Sequence, residues 1–292
     1  MTTSKWGPAD QLGAANELVP GRLMDALGLP SNGTVLDLTQ PVSPVAPRAD
    51  GQSPYSLCMW SHPIPSRYWH EAEGATNDVG FADERVELDL HIGTHIDALG
   101  HTSIADRLYN DLLVKDVAHN TGLAKLGVEH IPPLITRGVL LDVPPALGRT
   151  LEAGQVISVH DIERTLRHQN TQLQSGDIVL IRTGWARYYG TDNSRYVNAY
   201  PGIGLEAARW LVDQQAVAIG ADTMGLEVKP GEASNVLWPV HQELLTRSGV
   251  YIIEQANLEE AAHSQAHKFL CLCLPIRFEG ATASPVRLTA VL

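Results

Sequence analysis

Cysteine is scarce: Cys58, Cys271 and Cys273 are the only three in 292 residues. An odd count, with two thiols on one face of an apolar segment, argues against a disulfide framework and for reduced core thiols in a cytoplasmic protein. Packing among the neighbouring leucines explains Cys271 and Cys273 more simply than metal ligation does. Long apolar runs are missing too. The longest of note, Phe269 to Leu274, is far shorter than a bilayer span, and the opening Met-Thr-Thr-Ser-Lys-Trp-Gly-Pro lacks the apolar region of a signal peptide. Positive charge is in short supply. Twenty-one Lys and Arg face 33 Asp and Glu, a net charge of -12. Such a surface repels nucleic acid and anionic membrane, and no basic run offsets it. Neither a tandem repeat nor a low-complexity linker is present. At 44% hydrophobic and 18% charged residues, the composition is that of a folded globule.

What the chain does hold is concentrated in residues 91–101, His-Ile-Gly-Thr-His-Ile-Asp-Ala-Leu-Gly-His. Neutral imidazoles mixed with an anionic oxygen are what a first-row divalent metal takes. His91, His95 and Asp97 stand at even steps, which place side chains on one face of an extended strand. A helix would bring His91 and His95 together without Asp97, and Gly-Thr is weak helix material. The spacing therefore predicts His91 and His95 at the end of a strand, Val86–His91 and onward, with Asp97 where it turns into a loop. His101 lies just beyond, where a proton-transfer residue would sit.

A second pair is less specific. His241 opens a predicted helix, and Glu254 ends an apolar strand beside Gln255 and Asn257. A carboxylate there is costly unless paired or metal-bound, yet either residue also reads as a satisfied surface group. Asp222, at another strand end, serves an active-site loop or only caps a turn. His263 and His267, four apart but lacking a third ligand, read as surface residues. His62 and His70 are candidates for the entrance of a site, and Trp60, Trp69, Trp185 and Trp238 for its walls.

From residue 138 onward strand and helix alternate. Predicted strands are 138–143, 177–182, 216–220, 250–254 and 269–276. Predicted helices start after Ser158, which with Asp161 forms a capping-box variant, and cover 205–214 and 241–247. This argues an α/β fold with a central mixed sheet flanked by helices. Residues 1–35 read as an N-terminal arm of the kind that packs on a neighbouring subunit in a homo-oligomer. Residues 36–292 read as one catalytic domain, in which 40–85 are long loops and an irregular hairpin.

The string H-x-G-T-H-x-D-x-x-x-H resembles the signature of the cyclase superfamily of metal-dependent hydrolases. Its members include kynurenine formamidase, isatin hydrolase and trans-dienelactone hydrolase-like enzymes. Leu99 stands where many members carry proline, leaving the loop less rigidly set. Leu108-Tyr109-Asn110, Gly220-Ala221-Asp222-Thr223, Pro239-Val240-His241, Gly249 to Glu254 and Gly280 to Arg287 also resemble family landmarks. The resemblance implies a swivelling β/β/α barrel-like domain. It implies that His91, His95 and Asp97 hold the metal and that His101 shuttles protons. It further implies that His241 and Glu254 complete a second site bridged by Asp97, or else position substrate.

An open metal site acidifies water from a pKa of about 16 towards about 7 and polarises a carbonyl. The expected reaction is hydrolysis of a small cyclic amide or lactone with His101 as general acid/base, and zinc or manganese as the metal. An arylformamidase acting on N-formylkynurenine is the enzymatic alternative. From another class, a non-catalytic metal- or ligand-binding protein remains, though retention of His101 speaks against it.

Overall fold

Four apolar segments, Leu134–Asp142, Ile178–Arg182, Ala218–Ala221 and Tyr251–Glu254, pair side by side as parallel strands in a computed structural model that describes residues 3–292. Their side chains are buried almost throughout, as parallel strands covered on both faces require. Leu140 faces Leu180, Leu180 faces Gly220, and Gly220 faces Ile253 across the ladder.

Antiparallel strands extend this parallel centre on both sides. The full order is Val35–Asp37, Thr289–Val291, Lys268–Cys273, Leu134–Asp142, Ile178–Arg182, Ala218–Ala221, Tyr251–Glu254, His95–Asp97 and Ala283–Pro285. The sheet is mixed, curls into a half-barrel and is flanked by helices, as anticipated. Ile96, Leu140, Leu180, Ile219 and Ile252 are fully buried in one hydrophobic core around it. Cys271 and Cys273 are buried free thiols on the Lys268–Cys273 strand. Burial pushes the Cys273 thiol up to about 12, so both behave as core packing.

Helix Val159–His168 begins with the full capping box, Ser158 and Asp161 bonding reciprocally, and helix Leu205–Asp213 matches its expected span. The third differs. Pro239–His241 makes a single α-helical turn and then widens into a π-helix, Gln242–Ser248. Pro239 supplies the fixed φ of a first helical turn, and π-helical turns concentrate at functional sites. The helix ends at Gly249 in the left-handed region (φ 68°), where a Cβ would sit 2.5 Å from the Tyr109 ring. Only glycine closes that turn. No described helix is long and apolar enough to cross a membrane.

Two local expectations change. The stretch Val86–His91 is not the strand that carries the histidine cluster. Asp83–Glu87 instead pairs with Ser56–Ser61 in a separate ribbon, and the sheet strand is only His95–Asp97. Gly93, at φ 68°, turns the chain between them. Residues 40–85 also contain a helix, Pro63–Ala72, beyond the expected hairpin and loops. Pro63 starts it, and the His62 ring accepts from the Ile64 amide as its cap.

The N-terminal segment is tied to the body of the chain at several points. Asp10 accepts from the Tyr109 hydroxyl (2.7 Å), Ala14 donates to Gly249, and Tyr251 donates to the Leu12 carbonyl. Ala14 and Ala15 belong to the main core.

Candidate metal centre

The carboxyl ends of parallel strands are where ligands gather in open α/β sheets, and Glu254 stands at one of them. The antiparallel neighbour supplies the rest. His95 and Asp97 are two apart on one short strand, hence on one face. The register puts His95 directly opposite Glu254, so the two side chains must meet. His91 returns to the cluster through the Gly93 turn, His101 follows the strand, and His241 enters from the helix at Pro239.

The resulting spacings are regular. The His95 Nε2 lies 3.5 Å from Glu254 Oε2 and 3.6 Å from Asp97 Oδ1. The His241 Nε2 lies 3.3 Å from Glu254 Oε1 and 3.7 Å from Asp97 Oδ2. On the other side, His91 Nδ1 is 3.0 Å from Asp97 Oδ1, and the His91 and His101 rings are 4.3 Å apart. Two candidate ligand groups share Asp97: His91, Asp97 and His101, and His95, Asp97 and Glu254.

Three buried atoms in this cluster, His95 Nε2 and both Asp97 carboxylate oxygens, have no partner in good hydrogen-bond geometry, although His91 Nδ1 comes within 3.0 Å of Asp97 Oδ1 as an ion-pair contact. Leaving a buried carboxylate unsatisfied is costly. The separations of 3.3–3.7 Å are too long for good hydrogen bonds. Ligand atoms about 2.0–2.2 Å from a common ion at tetrahedral angles would lie about 3.3–3.6 Å apart. The donor set and its spacing therefore fit a divalent cation.

The histidines are held to present particular nitrogens. His95 Nδ1 bonds the Gly93 carbonyl at 2.8 Å, turning Nε2 inward. His91 Nε2 bonds the Thr282 hydroxyl at 3.1 Å, turning Nδ1 inward. His241 Nδ1 bonds the Glu227 carboxylate, whose other oxygen accepts from the Val240 and His241 amides. A carboxylate behind a ligating imidazole fixes its tautomer and raises its basicity.

Charge and burial work against each other throughout. Burial would raise the Asp97 carboxyl, but His101, His91 and His95 hold it far below the usual carboxylate range. Burial opposes ionisation of Glu254 too, yet His241 and His95 bring it down to about 2. His95 and His241 are raised despite burial, the first by Glu254 and Asp97, the second by Glu227 and Glu254. His101 goes the other way, to about 4: burial lowers it, and the neighbouring His91 and His241 outweigh part of the pull of Asp97.

All six residues singled out from the sequence, His91, His95, Asp97, His101, His241 and Glu254, thus come together. Glu227 was missed, although a carboxylate between Leu226 and Val228 in an apolar stretch is itself a signal, since such a group is rarely buried unpaired. Thr282 and Gln255, which donates to the His91 carbonyl, carry no such signal. Asp222 caps a turn: its carboxylate accepts from Thr183 and Gly184.

A cavity of about 540 Å³ opens over the cluster, lined by His91, His101, His241 and Glu254 together with Tyr200, Met224, Lys229 and Trp238. Trp238 holds a left-handed backbone (φ 55°), an outlier for a bulky residue, with its ring 5.2 Å from His241. Trp185 is fully buried elsewhere, whereas Trp60 and Trp69 are exposed and, like His62 and His70, do not line the cavity. His263 and His267 belong to neither ligand group.

Residues 36–228 match the family model described as "Putative cyclase", so the chain belongs to the cyclase family. A crystal structure described as a novel cyclase is 31% identical, with a TM-score of 0.88 over 99% of this chain and 98% of that one. Isatin hydrolase A from Ralstonia solanacearum is 22% identical, with a TM-score of 0.66 over 89% and 92%, a likeness of fold. Among sequences, cyclase-like protein 2 of Arabidopsis thaliana is 22% identical over 88% of this chain and 78% of its own length.

Proposed function

We propose that this chain is a metal-dependent hydrolase that opens a small cyclic amide or lactone. The carrying observation is the trio of buried atoms without a well-formed hydrogen bond, His95 Nε2 and the two Asp97 oxygens, inside a cluster spaced like ligands of one ion. The family resemblance has His91, His95 and Asp97 hold the metal with Glu254 and His241 completing a second set through Asp97, whereas the spacing groups Asp97 with His95 and Glu254, beside His241, and separately with His91 and His101. Zinc and manganese suit this imidazole and carboxylate set equally, no thiolate being near. When bound, the cation acidifies water and polarises a carbonyl oxygen.

The chain's own residues supply the rest. His101, lowered to about 4, is neutral at pH 7 and so accepts a proton from the nucleophile, then returns it to the departing nitrogen or oxygen. Trp238, Tyr200 and Met224 give the cavity an apolar wall that shields an aromatic or cyclic substrate from water. The volume suits a substrate of one or two rings. The hydrolase fold neighbours, isatin hydrolase A among them, support the reaction class.

The test pairs elemental analysis of purified protein with hydrolysis of isatin, dienelactones and formylated anilines, with and without a chelator. Activity that chelation abolishes and added metal restores is expected. Metal-free protein that hydrolyses these compounds undiminished refutes the reading. Hydrolysis of the formylated anilines alone favours the arylformamidase reading.

A further inference from the structure

We propose that Lys229 recognises a carboxylate that the substrate carries away from the bond to be broken, so that the compounds opened here are anionic cyclic amides or lactones. This rests on the hydrolase reading and names its substrate class. Among the described residues that line the cavity, Lys229 is the one lysine or arginine. The two carboxylates of the same lining are already engaged. Asp89 accepts from the His91 amide at 3.0 Å, and Glu254 faces His95 and His241 and accepts from the Leu226 amide. Lys229 itself forms no ion pair among the described residues, on a chain with 33 Asp and Glu against 21 Lys and Arg. Its half-buried ammonium is held by one hydrogen bond to the Val197 carbonyl (3.1 Å) and by the Tyr200 ring, 5.9 Å away. An ammonium has three donors, so two are left for a ligand.

The backbone fixes where that charge stands. Tyr200 and Lys229 exchange both amide hydrogen bonds, at 2.8 and 3.0 Å. Just upstream, the Leu226 amide holds Glu254 and the Glu227 carboxylate holds His241. One short segment therefore ties the candidate metal cluster to the ammonium. Lys229 stands two residues past Glu227, roughly 7 Å along an extended chain, and an even step keeps both on one face. The apolar wall of Tyr200, Met224 and Trp238 lines the same cavity. A ring laid on that wall, with its carbonyl at the His101 end, turns an acid substituent towards Lys229. An arginine fork or a cluster of cations, the usual setting of a phosphate, is absent from the described lining, whereas one ammonium answers one carboxylate. On a chain of net charge -12, it supplies an attraction for anions that most of the surface lacks.

The test compares isatin ring carboxylates, each against its neutral carboxamide. Metal-loaded wild type is expected to open a carboxylate with a KM roughly 10–100-fold lower, the worth of one charge-assisted hydrogen bond, and the advantage should shrink as salt is raised. Lys229→Met keeps the reach of the side chain without its charge and is expected to lose the advantage, whereas Lys229→Arg should keep most of it. The ratio carries its own control, since a disturbed cavity wall weakens both compounds together. Calorimetry with indole carboxylates against indole carboxamides, whose rings cannot be opened, reads binding without turnover. If no isatin is opened, the hydrolase reading fails and the indole pair still decides the role of Lys229. Hydrolysis without a carboxylate advantage at any ring position overturns the proposal and leaves the hydrolase reading standing. An advantage that Lys229→Met retains also overturns it, because the metal and not the ammonium then holds the acid. Should that variant fail to fold, a wild-type advantage that salt does not diminish overturns the proposal equally.

Discussion

Replacing Glu227 with glutamine isolates what the carboxylate behind His241 contributes. Glu227 is buried, bonds the His241 Nδ1 and accepts from the Val240 and His241 amides. Glutamine keeps the size and the carbonyl oxygen but removes the charge. His241 then loses the largest influence that raises its pKa against burial, so its Nε2 becomes a poorer ligand. Loss of such a partner typically weakens metal binding 10–100-fold, or about 1.4–2.8 kcal/mol. The sign of the pH effect follows. A raised imidazole pKa means that protons compete with metal in wild type up to higher pH. In Glu227→Gln that competition recedes, so the affinity deficit is largest in mildly alkaline buffer and narrows towards acid. Competition titration with a metallochromic indicator between pH 6 and 9 reads both effects. A variant that folds normally and binds metal within twofold of wild type across that range would refute the positioning of His241 by Glu227.

Three further outcomes follow from the same geometry. Asp97→Asn removes the carboxylate that both candidate ligand groups share and that His101, His91 and His95 hold ionised, so the metal-free variant should be less stable than metal-free wild type at neutral pH. Metal at 100 times its Kd should add about 2.7 kcal/mol to wild type and nothing to the variant in thermal melts, and equal stabilisation of both would contradict the ligand assignment. His101→Asn should keep its metal by elemental analysis while turnover of the best lactone or imide falls about 10²–10⁴-fold; an unchanged rate removes His101 from proton transfer. Asp10 is held below its ordinary pKa: burial opposes this, but the hydrogen bonds from Tyr109, Leu12, Ser4 and Asn16 prevail. A depressed folded pKa means its contribution is present above the unfolded value and fades as pH falls through the folded one. Wild type should therefore lose stability as pH falls below about 4 more steeply than Asp10→Asn, and parallel acid melts would show that Asp10 does not anchor the N-terminal segment.

Legibility of the sequence tracked how local each constraint was. The parallel strands were readable because a strand buried on both faces needs a short, unbroken apolar run, as Ile178–Arg182 and Tyr251–Glu254 display. His95 and Asp97 were readable because a period of two survives even in a three-residue strand. His91 kept its place in the cluster for a different reason than spacing suggested. A left-handed Gly93 breaks the extended run and folds His91 back, so an even step that looked like strand geometry was a turn. The convergence of His241 and Glu254 depends on strand order, which no local pattern encodes.

Glu227 and the projecting ribbon mark where local reading stops. A buried glutamate in an apolar stretch announces a partner but not its identity, and the partner is a histidine that itself points at another carboxylate. The ribbon shows the converse. Its strands pair antiparallel and its helix caps correctly, so each piece satisfies local rules. Only the folded chain reveals that Trp60, Tyr68 and Trp69 are left more than half exposed. Both cases follow from one physical fact: burial is a property of assembled surfaces. Residues whose local chemistry conflicts with their apparent exposure or burial are therefore where this chain's site is to be sought.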